Sequence, residues 1–114
     1  PLPLMRIIPF DDHRDRRGYV VNPFEGVGDT GDIQRCHAFS VAPGCIRGDH
    51  SHPDRNEKVL LLAGSVEVGA DGGSRTFRAP AFLEFDPGEH HSFRGLDDTP
   101  AVLICWSDRR LGEP

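Results

Sequence analysis

Glycine and proline divide the apolar runs of this 114-residue chain into short pieces, and this limits the folds that it can adopt. The 13 glycines and 10 prolines separate segments rich in Val, Ile, Leu and Phe. No segment shows a sustained 3.6-residue period with helix caps, so helix is at most a minor component. Short apolar segments that recur about every ten residues are typical of an all-β sandwich or barrel.

The sequence predicts eight strands, separated by turn signals such as APG, HPDRN, ADGG, DPG and LDDTP. The predicted strands span residues 5–10, 18–24, 32–41, 57–69, 74–79, 81–86, 90–95 and 101–108. In the last strand, Val102, Ile104 and Trp106 alternate, which predicts a buried face that belongs to the core or to a dimer contact. The length is that of one domain, here residues 1–114.

Charge and cysteine content exclude some classes of function. The net charge of −5 argues against a nucleic-acid surface, and no apolar run approaches the roughly 18 residues of a membrane span. The three cysteines, Cys36, Cys45 and Cys105, are an odd number without a CxxC spacing, and no secretion signal precedes them. We therefore expect free thiols and a cytoplasmic protein.

Two segments carry residues that are good metal ligands. In GDHSHPDRNE, His50 and His52 would point to the same face of a strand, about 7 Å apart, and Glu57 follows a predicted reversal. In DPGEHHSF, neighbouring strand residues face opposite ways, so only one of His90 and His91 can join them. Three imidazoles and one carboxylate suit Zn, Fe, Mn, Ni or Cu rather than Ca or Mg, and they leave coordination positions open.

The spacing of the first segment resembles the first motif of the cupin superfamily at every fixed position. The matching residues are Gly44, His50, His52, Glu57 and Gly64.

The second cupin motif is matched in part. Gly88 and His91 fit it, whereas Asp86 stands where the motif has proline, Pro80 where it has an upstream glycine, and Gly95 where it has a later asparagine. The resemblance implies a single-domain double-stranded β-helix, or jelly roll, with its metal-binding core at about residues 40–95. It also implies a metal held by His50, His52, Glu57 and His91.

Two cupin subgroups resemble the chain beyond these motifs. Residues 47–68, 83–93 and 101–114 are similar to the C-terminal cupin of capsular polysaccharide reductase–epimerases, which implies zinc and epimerisation of a nucleotide-linked keto-hexose. Residues 15–21 and 33–52 resemble nucleotide-hexose 3,4-ketoisomerases and 3,5-epimerases. In the ketoisomerases the histidines act without a metal and the glutamate is commonly missing, so the presence of Glu57 favours a metal here.

Candidate catalytic and binding residues lie on the strand 33–41, where regular alternation would put Arg35 and His37 on one face. Arg35 is a candidate for pairing with a diphosphate or carboxylate, and His37 for acid–base catalysis. Alternatively, His37 is a hydrogen-bonded residue of the barrel wall. Tyr19 is a second candidate acid or else a packing tyrosine, and Arg47 either meets phosphate or is solvated.

Three functions fit these residues. The first is a metal-dependent isomerase or epimerase that removes a proton next to a carbonyl of a keto-sugar or nucleotide-sugar, with zinc favoured and Fe, Mn or Ni as alternatives. The second is a dioxygenase that uses Fe(II), and the third is a non-catalytic module that binds a small, sugar-like ligand. A homodimer is the expected assembly.

Overall fold

The computed structural model describes residues 12–22, 31 and 33–109, and its regular structure consists of short strands. The described part contains no helix long and apolar enough to cross a membrane. The strands are β1 (Val20–Val21), β2 (Gln34–Val41), β3 (Ile46–His50), β4 (Glu57–Ala63), β5 (Ser65–Ala70), β6 (Gly73–Arg78), β7 (Ala81–Phe85), β8 (His91–Gly95) and β9 (Ala101–Ser107).

These strands form two antiparallel sheets, which confirms the prediction of an all-β fold. The five-stranded sheet has the order β1-β2-β9-β4-β7, and the four-stranded sheet has the order β3-β8-β5-β6. The core draws buried side chains from both sheets. It consists of Phe39, Val41, Val59, Leu61, Val66, Val68, Phe85, Phe93, Ala101, Leu103 and Cys105.

The strand β9 buries the face opposite to the one predicted as core. Its burial alternates regularly, with Ala101, Leu103 and Cys105 buried, because successive side chains of a strand point to opposite sides of the sheet. Trp106 lies on the outer, half-buried side, where its ring is 5.8 Å from that of Phe82. The assignment of the Trp106 face to the core is therefore wrong, and its role in a dimer stays a prediction.

The predicted strand 57–69 is in fact two strands in different sheets. The chain turns at Gly64, where φ is +79° and a Cβ would lie 2.9 Å from the Cα of Ala101. Only glycine fits this left-handed turn without strain, so β4 ends there and β5 begins in the other sheet.

Other predicted strands agree with the structure to within a few residues. The segment 5–10 lies outside the described residues, and within 18–24 only Val20–Val21 is a described strand. Residues 46–50 form β3, although they were not among the predicted strands.

Candidate metal centre

Four side chains from separate segments meet between the two sheets. His50 is the last residue of β3, Glu57 the first of β4 and His91 the first of β8, while His52 lies in the loop after β3. One ligand atom from each of the four lies within 4.8 Å of every other. Because they come from both sheets, the group exists only in the folded chain.

The three imidazoles surround the carboxylate of Glu57 closely. The ring centroids of His50 and His52 are 4.4 Å apart, and those of His50 and His91 are 4.8 Å apart. Glu57 Oε2 lies 2.7 Å from His52 Nε2 and 3.2 Å from His91 Nε2. A single cation is small enough to touch all four donors after slight adjustments of their positions.

A backbone irregularity, rather than regular strand alternation, brings His50 and His52 together. Gly48 and Asp49 both have positive φ, 84° and 61°, and the pairing of β3 with β8 shifts register between Gly48 and His50. His52 follows the end of β3. The prediction that the two histidines share a face through strand geometry is therefore wrong, although their rings do converge.

The two neighbouring histidines of the second motif face opposite ways. His91 is 1% exposed, and its Nε2 atom lies 3.2 Å from Glu57 Oε2 without the geometry of a hydrogen bond. Its other nitrogen, Nδ1, lies 3.3 Å from the carbonyl oxygen of Glu89, so Nδ1 carries the proton and Nε2 keeps its lone pair. His90 turns away, with its Nε2 2.9 Å from Asp49.

The lone pair of His91 Nε2 faces a carboxylate and two more imidazoles. A buried nitrogen in these surroundings fits a transition metal. A buried acceptor that faces a carboxylate oxygen at 3.2 Å would be costly in the folded protein, and a cation between the two atoms would remove that cost. The donor set of nitrogen and oxygen suits Zn, Fe, Mn or Ni. The residues present therefore fit the metal that the sequence predicts.

The turn of the second motif is fixed to the loop of the first. The Gly88 N–H donates a 2.8 Å hydrogen bond to the carbonyl oxygen of His52. Phe85 stacks on the ring of His91, with centroids 4.6 Å apart and planes inclined by 25°. These contacts hold two of the ligand-bearing segments in place.

Burial and neighbouring charges put the ligands in the protonation states that a metal requires. Burial lowers the pKa of His50 and of His52, so both rings are neutral near pH 7. Burial alone would raise the pKa of Glu57, but the imidazoles of His91, His52 and His37 lower it to about 2. The site therefore offers neutral nitrogens and one carboxylate.

These shifts predict that acid destabilises the metal-free protein in two steps. Groups with a lower pKa in the folded state bind more protons when the chain unfolds, so the free energy of unfolding falls as pH decreases. Below about pH 6.5 the folded protein loses stability, because the unfolded chain protonates His50 and His52 more readily than the folded chain does. Preferential protonation of Glu57 in the unfolded chain causes a second loss of stability between about pH 4.5 and pH 2. Urea titrations of the metal-free protein over this range measure the effect, and a free energy of unfolding that does not change would contradict it.

Arg55 donates to one of the ligands in a way that opposes metal binding. Its Nη2 lies 2.8 Å from His52 Nδ1, which must accept, so the proton of this ring is on Nε2 and points to Glu57. A metal held by His52 Nε2 would take the place of that proton. The neutral ring then carries its proton on Nδ1 and can no longer accept from Arg55.

We expect Arg55→Met to tighten zinc binding roughly tenfold, because it removes both this competing hydrogen bond and a positive charge. Methionine keeps most of the aliphatic stem. Arg94→Met is the matched control, since Arg94 is an exposed arginine that pairs with Glu67 on the four-stranded sheet. Competition with a chromophoric chelator measures both affinities, and equal values for the two variants would disprove the effect of Arg55.

A cavity of about 170 Å³ opens beside the candidate metal centre. His37, His50 and Glu57 lie among the residues that line it, together with Arg17 and Arg47. A larger cavity of about 330 Å³ is lined by other residues and includes none of the four metal donors. The smaller cavity is the better candidate because ligand donors and titratable side chains share it.

His37 and Arg35 are not on one face of β2. The pairing of β2 with β9 shifts register between Gln34 and His37, and Arg35 has a φ of 51°. As a result, the Arg35 residue is exposed and does not line the cavity. The backbone carbonyl oxygen of Arg35 lies 3.0 Å from His37 Nδ1. The shared face expected from alternation is therefore wrong.

Arg47 lines the cavity but is also tied to the protein backbone. Its guanidinium donates to the carbonyl oxygens of Ser40 at 2.8 Å and Gly18 at 3.2 Å, and only 8% of the residue is exposed. It is therefore not a freely solvated arginine. Tyr19 is half-buried outside the cavity lining, with the guanidinium of Arg14 5.7 Å from its ring centroid.

Sequence reasoning did not find the polar support beneath Glu57. Asn56 is 1% exposed, and its amide donates to Glu84 at 2.7 Å and to Asp108 at 2.9 Å. Its side-chain oxygen accepts from the backbone N–H groups of Asp108 and Arg109. The position of Asn56 directly before Glu57 could have indicated this support. A polar residue at the start of a buried strand needs hydrogen-bond partners.

The comparison with protein families decides the assignment. The cupin domain model matches residues 37–107, which include all four candidate ligands. The chain belongs to the cupin family. Its two antiparallel sheets are the jelly roll of this family, while no curated protein sequence matches it.

Several solved structures share this fold. Capsular polysaccharide assembling protein CapF from Staphylococcus aureus is 22% identical with a TM-score of 0.73, over 90% of this chain and 29% of CapF. A cupin sugar phosphate isomerase from Silicibacter pomeroyi is 19% identical, with a TM-score of 0.71, over 82% and 60% of the two chains. A predicted oxalate decarboxylase from Thermotoga maritima is 18% identical, with a TM-score of 0.72, over 89% and 92%. This cupin thus spans less than a third of CapF, and these likenesses show the fold alone.

Proposed function

We propose that this cupin is a metal-dependent isomerase or epimerase that moves a proton next to the carbonyl of a keto-sugar or nucleotide-sugar. The observation that carries the proposal is the position of His37 in the same cavity as His50 and Glu57. A base and a group of metal donors that face one cavity are the two components that such a reaction requires.

His37 is arranged to accept a proton. Its Nδ1 faces the carbonyl oxygen of Arg35, which can only accept, so Nδ1 carries the hydrogen and Nε2 keeps a lone pair. The ring also stacks on Phe39, with centroids 5.7 Å apart, which restricts its rotation. Histidine is the side chain best suited to proton transfer near neutral pH.

The reaction is a proton transfer without net oxidation. His37 Nε2 takes a proton from the carbon beside the carbonyl, and the electron pair of the C–H bond moves into the resulting enolate. Return of a proton to the other face of that carbon gives the epimer. Protonation of the former carbonyl carbon, with transfer of the neighbouring hydroxyl proton to the former carbonyl oxygen, gives the isomer. When bound to His50, His52, Glu57 and His91, a divalent ion supplies a Lewis acid that polarises the carbonyl.

Zinc is the metal that we propose, with Fe, Mn and Ni as alternatives. The names of CapF and of the sugar phosphate isomerase, both structural relatives, support carbohydrate chemistry. The same four donors on Fe(II) would also support the dioxygenase alternative. Metal analysis of protein purified without added metal separates the two, because zinc excludes redox catalysis.

The direct test is solvent exchange in D₂O with a nucleoside-diphosphate-linked keto-hexose as probe. An isomerase or epimerase replaces the hydrogen next to the carbonyl by deuterium, and proton NMR follows the loss of that signal. Binding without exchange would favour the non-catalytic module. Exchange no faster than in buffer, together with no binding, would reject the proposed substrate class.

Several sequence predictions remain part of this proposal. Arg47, which lines the cavity, is a proposed contact for an anionic group. Tyr19 as second acid and Arg35 as a further contact are proposed for the part of a substrate that extends beyond the cavity lining, and the protein is proposed to be cytoplasmic. The proposed homodimer is supported by an apolar area on the outer side of the five-stranded sheet. Leu62 and Phe82 of this area are 48% and 56% exposed.

A further inference from the structure

A buried thiol lies behind the candidate metal centre. Cys105 is 1% exposed and occupies the middle of β9, which lies between β2 and β4. It pairs in register with His37 on β2 and with Val59 on β4. Its Sγ, a nitrogen of His37 and a carboxylate oxygen of Glu57 all lie within 4.8 Å of one another.

A hydrogen bond between Cys105 and Glu57 can run only from the thiol to the carboxylate. An ionised carboxylate only accepts hydrogen bonds, whereas an S–H group can donate one. Cys105 is also absent from the residues that line the cavity, so a substrate there does not reach it. The neighbour of the sulfur is therefore the Glu57 carboxylate and not a molecule in the cavity.

Glu57 can accept such a donor without losing its contacts to the imidazoles. An ionised carboxylate offers about four lone-pair positions. His52 and His91 both approach one oxygen, Oε2. Cys105 approaches Glu57 from β9, the neighbouring strand of the same sheet. His91 approaches Glu57 from the opposite sheet, so the two side chains do not compete for one position.

We propose that Cys105 is a positioning residue, which donates its S–H to the Glu57 carboxylate and directs that carboxylate toward the three imidazoles. Cys105 in this role also keeps His37 and Glu57 at a fixed separation, because it lies between their strands. Hydrogen bonds to a metal-binding carboxylate fix its orientation and tune the affinity of the site. The inference rests on the metal centre of the proposed function and adds a residue outside the ligand set.

Zinc affinity of three variants at this position tests the role, by competition with a chromophoric chelator. We expect Cys105→Ala to weaken zinc binding about tenfold, in the range known for such supporting groups. Cys105→Val, which fills the space without a donor, is expected to weaken it similarly and serves if the alanine variant does not fold. Cys105→Ser, which keeps a donor, is expected to restore most of the affinity.

A second cysteine and a spectroscopic probe separate positioning from packing. Cys45→Ala is the control, since Cys45 is a half-buried thiol that packs against the core but is not one of the donors near Glu57. We expect the visible spectrum of bound Co²⁺ to change in the alanine and valine variants and to stay unchanged in Cys45→Ala and Cys105→Ser.

Each contrary result has a distinct meaning. If the wild-type protein does not bind zinc, the metal centre itself is wrong and this role of Cys105 falls with it. If the wild type binds zinc and Cys105→Val binds it equally well, only the positioning role is overturned. If serine is as harmful as valine, the donor is not what matters, and the inference is likewise overturned.

Discussion

Glu57→Gln is expected to lower the affinity for zinc by at least about 100-fold, because it removes the only carboxylate of the ligand set. Supporting residues of metal sites commonly change affinity by about 10- to 100-fold, and a direct ligand is expected to exceed this. Glutamine has nearly the same shape, so the fold should tolerate it. Its side chain lacks the negative charge that balances a divalent cation among three neutral imidazoles.

Metal content after purification and chelator competition measure this loss. Glu67→Gln is the matched control, because Glu67 is a half-buried carboxylate of β5 that pairs with Arg94 outside the candidate metal centre. Zinc should also raise the thermal midpoint of the wild type and of Glu67→Gln by mass action, but not that of Glu57→Gln. Zinc affinity retained by Glu57→Gln would mean that the cation binds elsewhere.

His37→Gln is expected to lower the rate of deuterium exchange into a nucleoside-diphosphate-linked keto-hexose by about 10²- to 10⁴-fold, the usual contribution of a general base. Glutamine cannot accept and return a proton at neutral pH, although it can still hydrogen-bond to the carbonyl oxygen of Arg35. Zinc affinity should stay close to that of the wild type, since His37 is not one of the four ligands grouped around His91.

His90→Gln controls for the loss of a histidine near the site. His90 follows the same turn as His91, but it faces Asp49 at the surface, so exchange should continue at the wild-type rate. If His37→Gln exchanges as fast as the wild type, another group is the base, and Tyr19 would be the next candidate. If exchange and zinc affinity are lost together, His37 acts on the metal centre rather than on the substrate.

Local patterns in the sequence predicted the fold class because strands follow local rules. Short apolar segments between glycine and proline correspond to strands wherever the predicted segment lies within the described residues, as in β2, β6 and β9. Local rules failed where the backbone departs from regular alternation. Arg35 and Asp49 adopt positive φ at register shifts, and Gly64 moves the chain from one sheet to the other.

Residue type and spacing were sufficient to predict the all-β fold, the cupin motifs and the set of four candidate ligands, because each of these follows from short stretches of the chain. Three relations appear only in the folded chain: the four donors meet within 4.8 Å, Arg55 donates to His52, and Cys105 lies behind Glu57. Those relations join residues from different strands and loops, often far apart in the chain. The distances between these residues depend on strand register and on how the two sheets pack against each other. Short-range sequence patterns do not encode either of these features.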